Sequence, residues 1–366
     1  MSRNRRPTTA SRRRFLAAGT AALAAPYVLR LPRALAQDKP AELIVRAWGG
    51  VWQEAIDKGV SQPFSERTGI AIRYDLTEDN ELRPKIWAAV DQGRTPPVHV
   101  NWDTTTNATK SALRGVSEDL GGLPNLEGLL PVARPVGLDG WPLVNVYSYA
   151  YILAYAEEAF SGAAPESWHA LLDPAHRRRV AIYDDGIGLF APAQVAMGGK
   201  FEDIPDNMEP CWKFFRKLKD NEPLLGEDPD FTNWFQNGET DLACTIISNA
   251  REAKQNGIAV SWTVPKEGAT LDTDALWIPR GLPENELYWA KEYVNFALSP
   301  EAQQAWCNAL GLPPVRPGLE PPADLVGDIA YPASEEDLAR FLRIPTPVLV
   351  EHESEWFERV NEIMQG

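Results

Sequence analysis

The stretch of this 366-residue chain whose residue types and spacing could do chemistry is Ile258–Arg280, IAVSWTVPKEGATLDTDALWIPR. Ala259–Val264 reads as a buried strand, Pro265-Lys266-Glu267-Gly268 as a turn, and Ala275–Ile278 as a second apolar run. Between them stand Asp272 and Asp274. Side chains two apart on an extended segment share a face, so the two carboxylates point the same way. The segment reads either as a crossing between two structural units that carries an acidic face, or as a solvated acidic loop.

The elements around it favour the crossing. Leu43–Trp48 reads as a strand ended by Gly49-Gly50, Trp52–Arg67 as a helix despite Gly59, and Ile70–Leu76 as a strand. Glu81–Asp91 places Leu82, Ile86 and Val90 on one helical stripe, and Val98–Trp102 is a third strand. Short connections between alternating strands and helices predict a parallel sheet, with ligands beyond the strand carboxyl ends. Here those ends are Trp48-Gly49-Gly50 and Trp102-Asp103-Thr104-Thr105-Thr106. Leu143–Tyr155 sets Tyr147, Tyr149, Tyr151 and Tyr155 on one parity, either as an aromatic core face or as a first crossing between units.

Residues 156–270 repeat the alternation. A helix opens at Glu166-Ser167-Trp168, a strand Val180–Tyr183 ends in Asp184-Asp185-Gly186, and helices cover Phe190–Met197 and Met208–Lys219. The strand Thr240–Ile247 leads into a helix near Asn249–Gln255. After Arg280 the chain reads as helical, with no further strand expected and terminal helices at Ser334–Leu342 and Val348–Met364.

The chain opens on an address. Ser11-Arg12-Arg13-Arg14-Phe15-Leu16 fits the twin-arginine export pattern, Phe15–Leu29 is an apolar run too short to span a membrane, and Ala34-Leu35-Ala36 is a small-x-small cleavage site. Cleavage after Ala36 predicts a periplasmic mature chain starting at Gln37. It removes eight arginines and no acid, so the net charge moves from −15 to about −23. That charge disfavours nucleic acids and anionic membranes and suits cationic partners. No second apolar run approaches membrane length, so a soluble protein is expected. The remaining residues exceed what one core usually organises, which predicts two lobes. Three cysteines do not frame the fold, and four histidines lack ligand spacing, so neither metal nor cofactor is expected. No phosphate-binding loop, dinucleotide fingerprint, nucleophile elbow or H-E-x-x-H motif occurs. Acids and aromatics at crossings, without catalytic groups, point to capture rather than reaction.

From about Leu43 to Leu310 the sequence resembles the extracellular solute-binding proteins of ABC importers, in the branch of periplasmic spermidine/putrescine-binding proteins. The matching pieces include Trp48, Phe64–Ile70, Ser167-Trp168, Asp184-Asp185, Asn237-Gly238-Glu239, and Val264–Gly268 leading to Asp274 and Ile278-Pro279. The resemblance implies a bilobal α/β fold with crossover strands and a ligand cleft between the lobes. Lobe 1 is expected over 37–147 plus 275–325, and lobe 2 over 148–274 plus 326–366. It implies no enzymatic activity, a small-molecule solute, permease and ATPase partners, no nucleic acid, and a monomer. In polyamine binders aromatics sandwich the methylene chain and carboxylates hold the ammonium groups.

Trp48, Asp185 and Asp274 match polyamine-contacting positions, and Thr104 falls near another. This chain departs where Gly188 replaces a second acid, Asp272 a tryptophan, and Ile246 or Ile247 another tryptophan. A putrescine-like cation is therefore expected ahead of long polyamines. Tyr147 and Asp272 join the candidate site. Arg251, behind Ser248-Asn249, either clamps a ligand carboxylate, as in relatives that bind opine-like or amino-acid-like solutes, or is a solvated helix arginine; Asn249 is placed with it. A ferric-iron receptor would need an adjacent tyrosine pair, which the chain lacks, and an exported enzyme would need a cofactor motif.

Overall fold

The computed structural model describes residues 38–161 and 163–366, so the expected export signal and its cleavage site lie outside the described residues. Strand β1 (Glu42–Arg46) runs into α1 (Gly50–Ile56), a π-helical turn over Asp57–Ser61, and α2 (Gln62–Thr68). This run tolerates Gly59 because the position is pressed against a neighbouring helix: a Cβ there would stand 2.6 Å from that of Trp306. Then follow β2 (Ala71–Asp75), α3 (Asp79–Asp91), β3 (Val100–Thr104) and α4 (Thr105–Leu113).

The second half carries β4 (Val144–Ala156), β5 (Val180–Tyr183), α5 (Phe190–Ala196), α6 (Glu209–Lys219), β6 (Leu224–Gly226), α7 (Asp228–Gln236), β7 (Leu242–Ile246), α8 (Ile247–Gln255), β8 (Val260–Thr263) and β9 (Ala269–Trp277). The chain closes with α9 (Glu284–Ala297), α10 (Pro300–Leu310), α11 (Glu335–Leu338), β10 (Phe341–Leu342) and α12 (Thr346–Gln365). The strands lie in the order β2-β1-β3-β9-β4-β7-β5-β6, with β8 beside β4 and β10 beside β9. The outer trios β2-β1-β3 and β7-β5-β6 are parallel, while the central pairings are antiparallel. The fold is bilobal α/β. Strands β4 and β9 belong to both halves: each pairs with the other in the middle and reaches outward to β7 or β3.

The acidic segment is thus a strand and not a loop. β8 and β9 run one after the other along the same edge of β4, interrupted by the Pro265–Gly268 turn. Three expectations need correction. The Trp168 segment is a short 3-10 turn, Trp168–Leu172, and not a longer helix. β6 and α7 were not anticipated; β6 spans three residues, too few for a period, though α7 carries a capping box at Glu227 and Asp230. Beyond Arg280 a strand does occur, because β10 adds two residues to the start of β9 where the expected helix Ser334–Leu342 breaks after Leu338.

The amphipathic helix α12 packs against both α4 and α6. Glu353 pairs with Lys110 of α4 at 2.6 Å, while Trp356 and Phe357 pack on Phe190 at 5.2 and 6.1 Å between ring centres.

Candidate functional site

β9 faces β4 with Asp274 opposite Tyr147 and Asp272 opposite Tyr149. Directly paired residues on antiparallel strands project from the same face, so this register brings two acids and two phenols together. A bulge between Asn145 and Tyr147 resets the pairing just before the acids. Tyr147 is fully buried, and its hydroxyl donates to Oδ2 of Asp274. Asp274 is 7% exposed, and its Oδ1 has no hydrogen-bond partner. Burial pushes its carboxyl well above the usual range; the Tyr147 hydroxyl bond opposes this, and the charges of Asp272 and Asp103 add to it.

Asp272 is better served. It accepts from the backbone N–H of Thr273 at 2.7 Å and stands in register with Tyr149. Burial still raises its carboxyl, with Thr273, Arg343 and Tyr149 pulling it back. The same burial raises the phenols of Tyr147, Tyr149 and Tyr151, so all three remain neutral donors.

Aromatic rings extend from this pair in both directions. Trp48 contacts Trp52 at 5.9 Å, and Trp52 stacks on Tyr147 at 5.6 Å. On the other side Tyr147, Tyr149, Tyr151 and Tyr183 follow at 6.3, 6.0 and 5.7 Å. The row therefore joins the end of β1 to the end of β5. The row thus sets a line of aromatic rings beside the two acids.

The strand ends contribute differently. Thr104 pairs in register with Asp274 but uses its hydroxyl to cap α4, accepting from the N–H of Asn107 at 3.2 Å. Asp103 beside it accepts from the indole of Trp277 at 3.2 Å and lies 3.7 Å from Arg46. Burial pushes its carboxyl up to about 7; Asp79 adds to the rise and Arg46 opposes it. Asp185 turns its carboxylate onto the N–H of Ile187 at 2.9 Å and is raised by burial. Gly188 follows with φ of 87°, and a Cβ there would stand 2.3 Å from the ring of Tyr151. Tyr151 fills the space that a side chain at this position would need.

A small, partly open pocket lies beside β9. It is lined by Thr106 from α4, Tyr151 from β4, Gly188 before α5, Asp272, and Arg343 and Glu353 from the C-terminal segment. Asn249 and Arg251 are not among its lining. The Asn249 amide donates to Asp228, Thr245 and Tyr183 at 3.0, 2.9 and 3.3 Å, in a buried knot behind the aromatic row. The Arg251 guanidinium donates to the carbonyl of Gly311 and lies 3.5 Å from Asp328, with the Tyr331 ring 6.0 Å away.

Sequence reasoning did not single out Trp52, Tyr149, Tyr151 or Arg343 for the site. The tyrosines were visible as a one-parity row, and their pairing with β9 is what gives them a role. Arg343 left no signal, because nothing local ties it to residues some seventy positions earlier. Among the described residues no cluster of histidine, cysteine or acid side chains could hold a metal ion, all three cysteines are buried and free, and no helix is long and apolar enough to cross a membrane.

A family model for bacterial extracellular solute-binding proteins matches residues 60–333. The chain is 25% identical over 271 residues to the spermidine/putrescine-binding periplasmic protein of Salmonella typhimurium, covering 72% of this chain and 75% of that one. It is 26% identical over 282 residues to the putrescine-binding periplasmic protein SpuD of Pseudomonas aeruginosa, covering 68% and 72%. Among solved structures, the binding protein AttC of Agrobacterium tumefaciens in an open unliganded conformation superposes with a TM-score of 0.73 at 21% identity, over 89% of this chain and 100% of that one.

Proposed function

We propose, from the premise that this chain belongs to the family of bacterial extracellular solute-binding proteins, that its ligand is a small organic solute held by a protonated amine. As the substrate-binding protein of an ABC importer it works with permease and ATPase components and is not an enzyme. The observation that carries the amine is Asp274, a buried carboxylate with one oxygen unpartnered, beside Asp272 and under a row of aromatic rings. An ammonium supplies what that oxygen lacks. It would draw Asp274 into its ionised form, and a charged hydrogen bond there contributes about 1.5–3 kcal/mol. The rings add about 2 kcal/mol where the cation is desolvated.

Putrescine-like diamines belong to this class, as the names of the two curated relatives suggest, and so do solutes with both an amine and a carboxylate. Capture proceeds by closure of two lobes, 37–147 with 275–325 and 148–274 with 326–366, about the crossing strands β4 and β9. Export by the twin-arginine signal places the mature chain in the periplasm, where it acts as a monomer.

Mass spectrometry of the solute released on unfolding natively purified protein tests the proposal. An amine-bearing solute supports it; a sugar or an anion without an amine overturns it.

A further inference from the structure

Arginine is expensive to bury unless a carboxylate or several acceptors meet it. Among the described residues, buried Arg46 and partly buried Arg83 and Arg251 each have a carboxylate close by: Arg46 lies 3.7 Å from Asp103, Arg83 2.5 Å from Asp79, and Arg251 3.5 Å from Asp328. Arg343 departs from this pattern. Burial lowers its pKa, yet among the described residues no carboxylate lies within 4.0 Å of it. The hydrogen bond it makes is a long one, 3.5 Å to the carbonyl of Val132. A guanidinium has five N–H donors, so most of its capacity remains uncommitted.

Its position is fixed by tertiary pairing. β10 locks Phe341 and Leu342 onto Ala269 and Thr270 of β9, and Arg343 follows directly. That places it on the wall of the cavity that Asp272, Thr106 and Tyr151 also line. Glu353, on the same wall, is already paired with Lys110 at 2.6 Å. The charges left facing the cavity are therefore one acid, Asp272, and one guanidinium, Arg343, attracting each other from beyond ion-pair distance.

We infer that Arg343 is a specificity-determining residue that holds a carboxylate of the solute, so that the ligand is amphoteric: an amino acid or amino-acid derivative with its amine on the Asp272 and Asp274 side. The inference rests on the amine reading above and deepens it. A planar fork of donors matches a carboxylate bidentately. A diamine of the same length would set a second ammonium against the guanidinium, a like-charge contact in a partly desolvated site. This moves the carboxylate-holding role from Arg251, which meets Asp328 and the carbonyl of Gly311 away from the cavity, to Arg343 on the cavity wall.

The test uses the full mature chain, stripped of ligand by unfolding and refolding, and calorimetric titration with a panel of α-amino acids, ω-amino acids and diamines of matched length. At least one amino acid should bind about tenfold or more tightly than the matching diamine, the scale of one charged hydrogen bond. Arg343→Gln should lose about tenfold or more of that affinity while leaving the diamine unchanged or improved, and Arg343→Lys should recover part of it. Thermal melts of each variant establish that it is folded. Preference for a diamine in the wild type, no amino-acid binder in the panel, or an Arg343→Gln variant that binds the amino acid normally would each overturn the inference. The two readings separate cleanly. A diamine that binds and is lost in Asp274→Asn leaves the amine site standing without Arg343, whereas a solute lacking any amine removes both.

Discussion

Tyr147 of β4 stands directly opposite Asp274 of β9, donates its hydroxyl to one carboxylate oxygen, and leaves the other buried without a partner. The two residues are 127 positions apart. Each sits on one of the two central strands, β4 and β9, which pair with each other in the middle of the strand order.

Replacing Asp274 by Asn should weaken an amine-bearing solute by about 1.5–3 kcal/mol, since a charged acceptor becomes neutral. Asp185→Asn should cost less, because that carboxylate is already turned onto its own loop at Ile187. Calorimetric titration of both variants checks this; equal affinity to wild type in Asp274→Asn would show that the amine sits elsewhere.

Tyr147→Phe removes the donor that stabilises Asp274 and leaves both buried oxygens without a hydroxyl partner. The ligand-free protein should lose about 1–3 kcal/mol of stability. Chemical denaturation is the measurement, and an unchanged midpoint would mean that the Tyr147–Asp274 hydrogen bond contributes nothing net.

Stability of the ligand-free protein should fall from mildly acidic to neutral pH. Asp103 has a folded pKa raised to about 7 from an ordinary 3.8, so the folded state binds the extra proton throughout that interval. The stabilisation is complete below 3.8 and is lost as pH rises through about 7, at up to about 1.4 kcal/mol per pH unit. Asp272 and Asp274 are shifted in the same direction. Melting temperatures at a series of pH values should show the decline, and Asp103→Asn should flatten it. A wild-type profile that rises over this interval would contradict the assignment.

Gly188→Ala should destabilise the protein by about 1–3 kcal/mol, because it adds a Cβ both at a positive φ and 2.3 Å from the Tyr151 ring. It should also change ligand affinity, since Tyr151 lines the cavity. A variant as stable as wild type would show that the ring can step aside at no cost.

Much of this was legible one-dimensionally. Asp272 and Asp274 announced themselves by type and spacing, and the turn before them marked a strand boundary. Trp48 before Gly49-Gly50 and Asp185 before Gly186 could be placed at strand ends because parallel α/β sheets keep their binding groups there. The parity of Tyr147, Tyr149 and Tyr151 showed an aromatic face but not what it faces. Local periodicity reports which side of a strand a residue takes, and nothing in it reports which strand lies alongside.

The sequence by itself therefore determined the alternation of elements, the acidic crossing, the aromatic face and the class of protein. Pairing across long separations decided the rest. The register of β4 with β9 selected Tyr147 as the partner of Asp274. The packing of Tyr151 against Gly188 closed the space a side chain would take there, and the two residues of β10 delivered Arg343 to a cavity wall far from it in the chain. Such contacts are set by the mutual fit of distant surfaces, a property that no window of neighbouring residues contains.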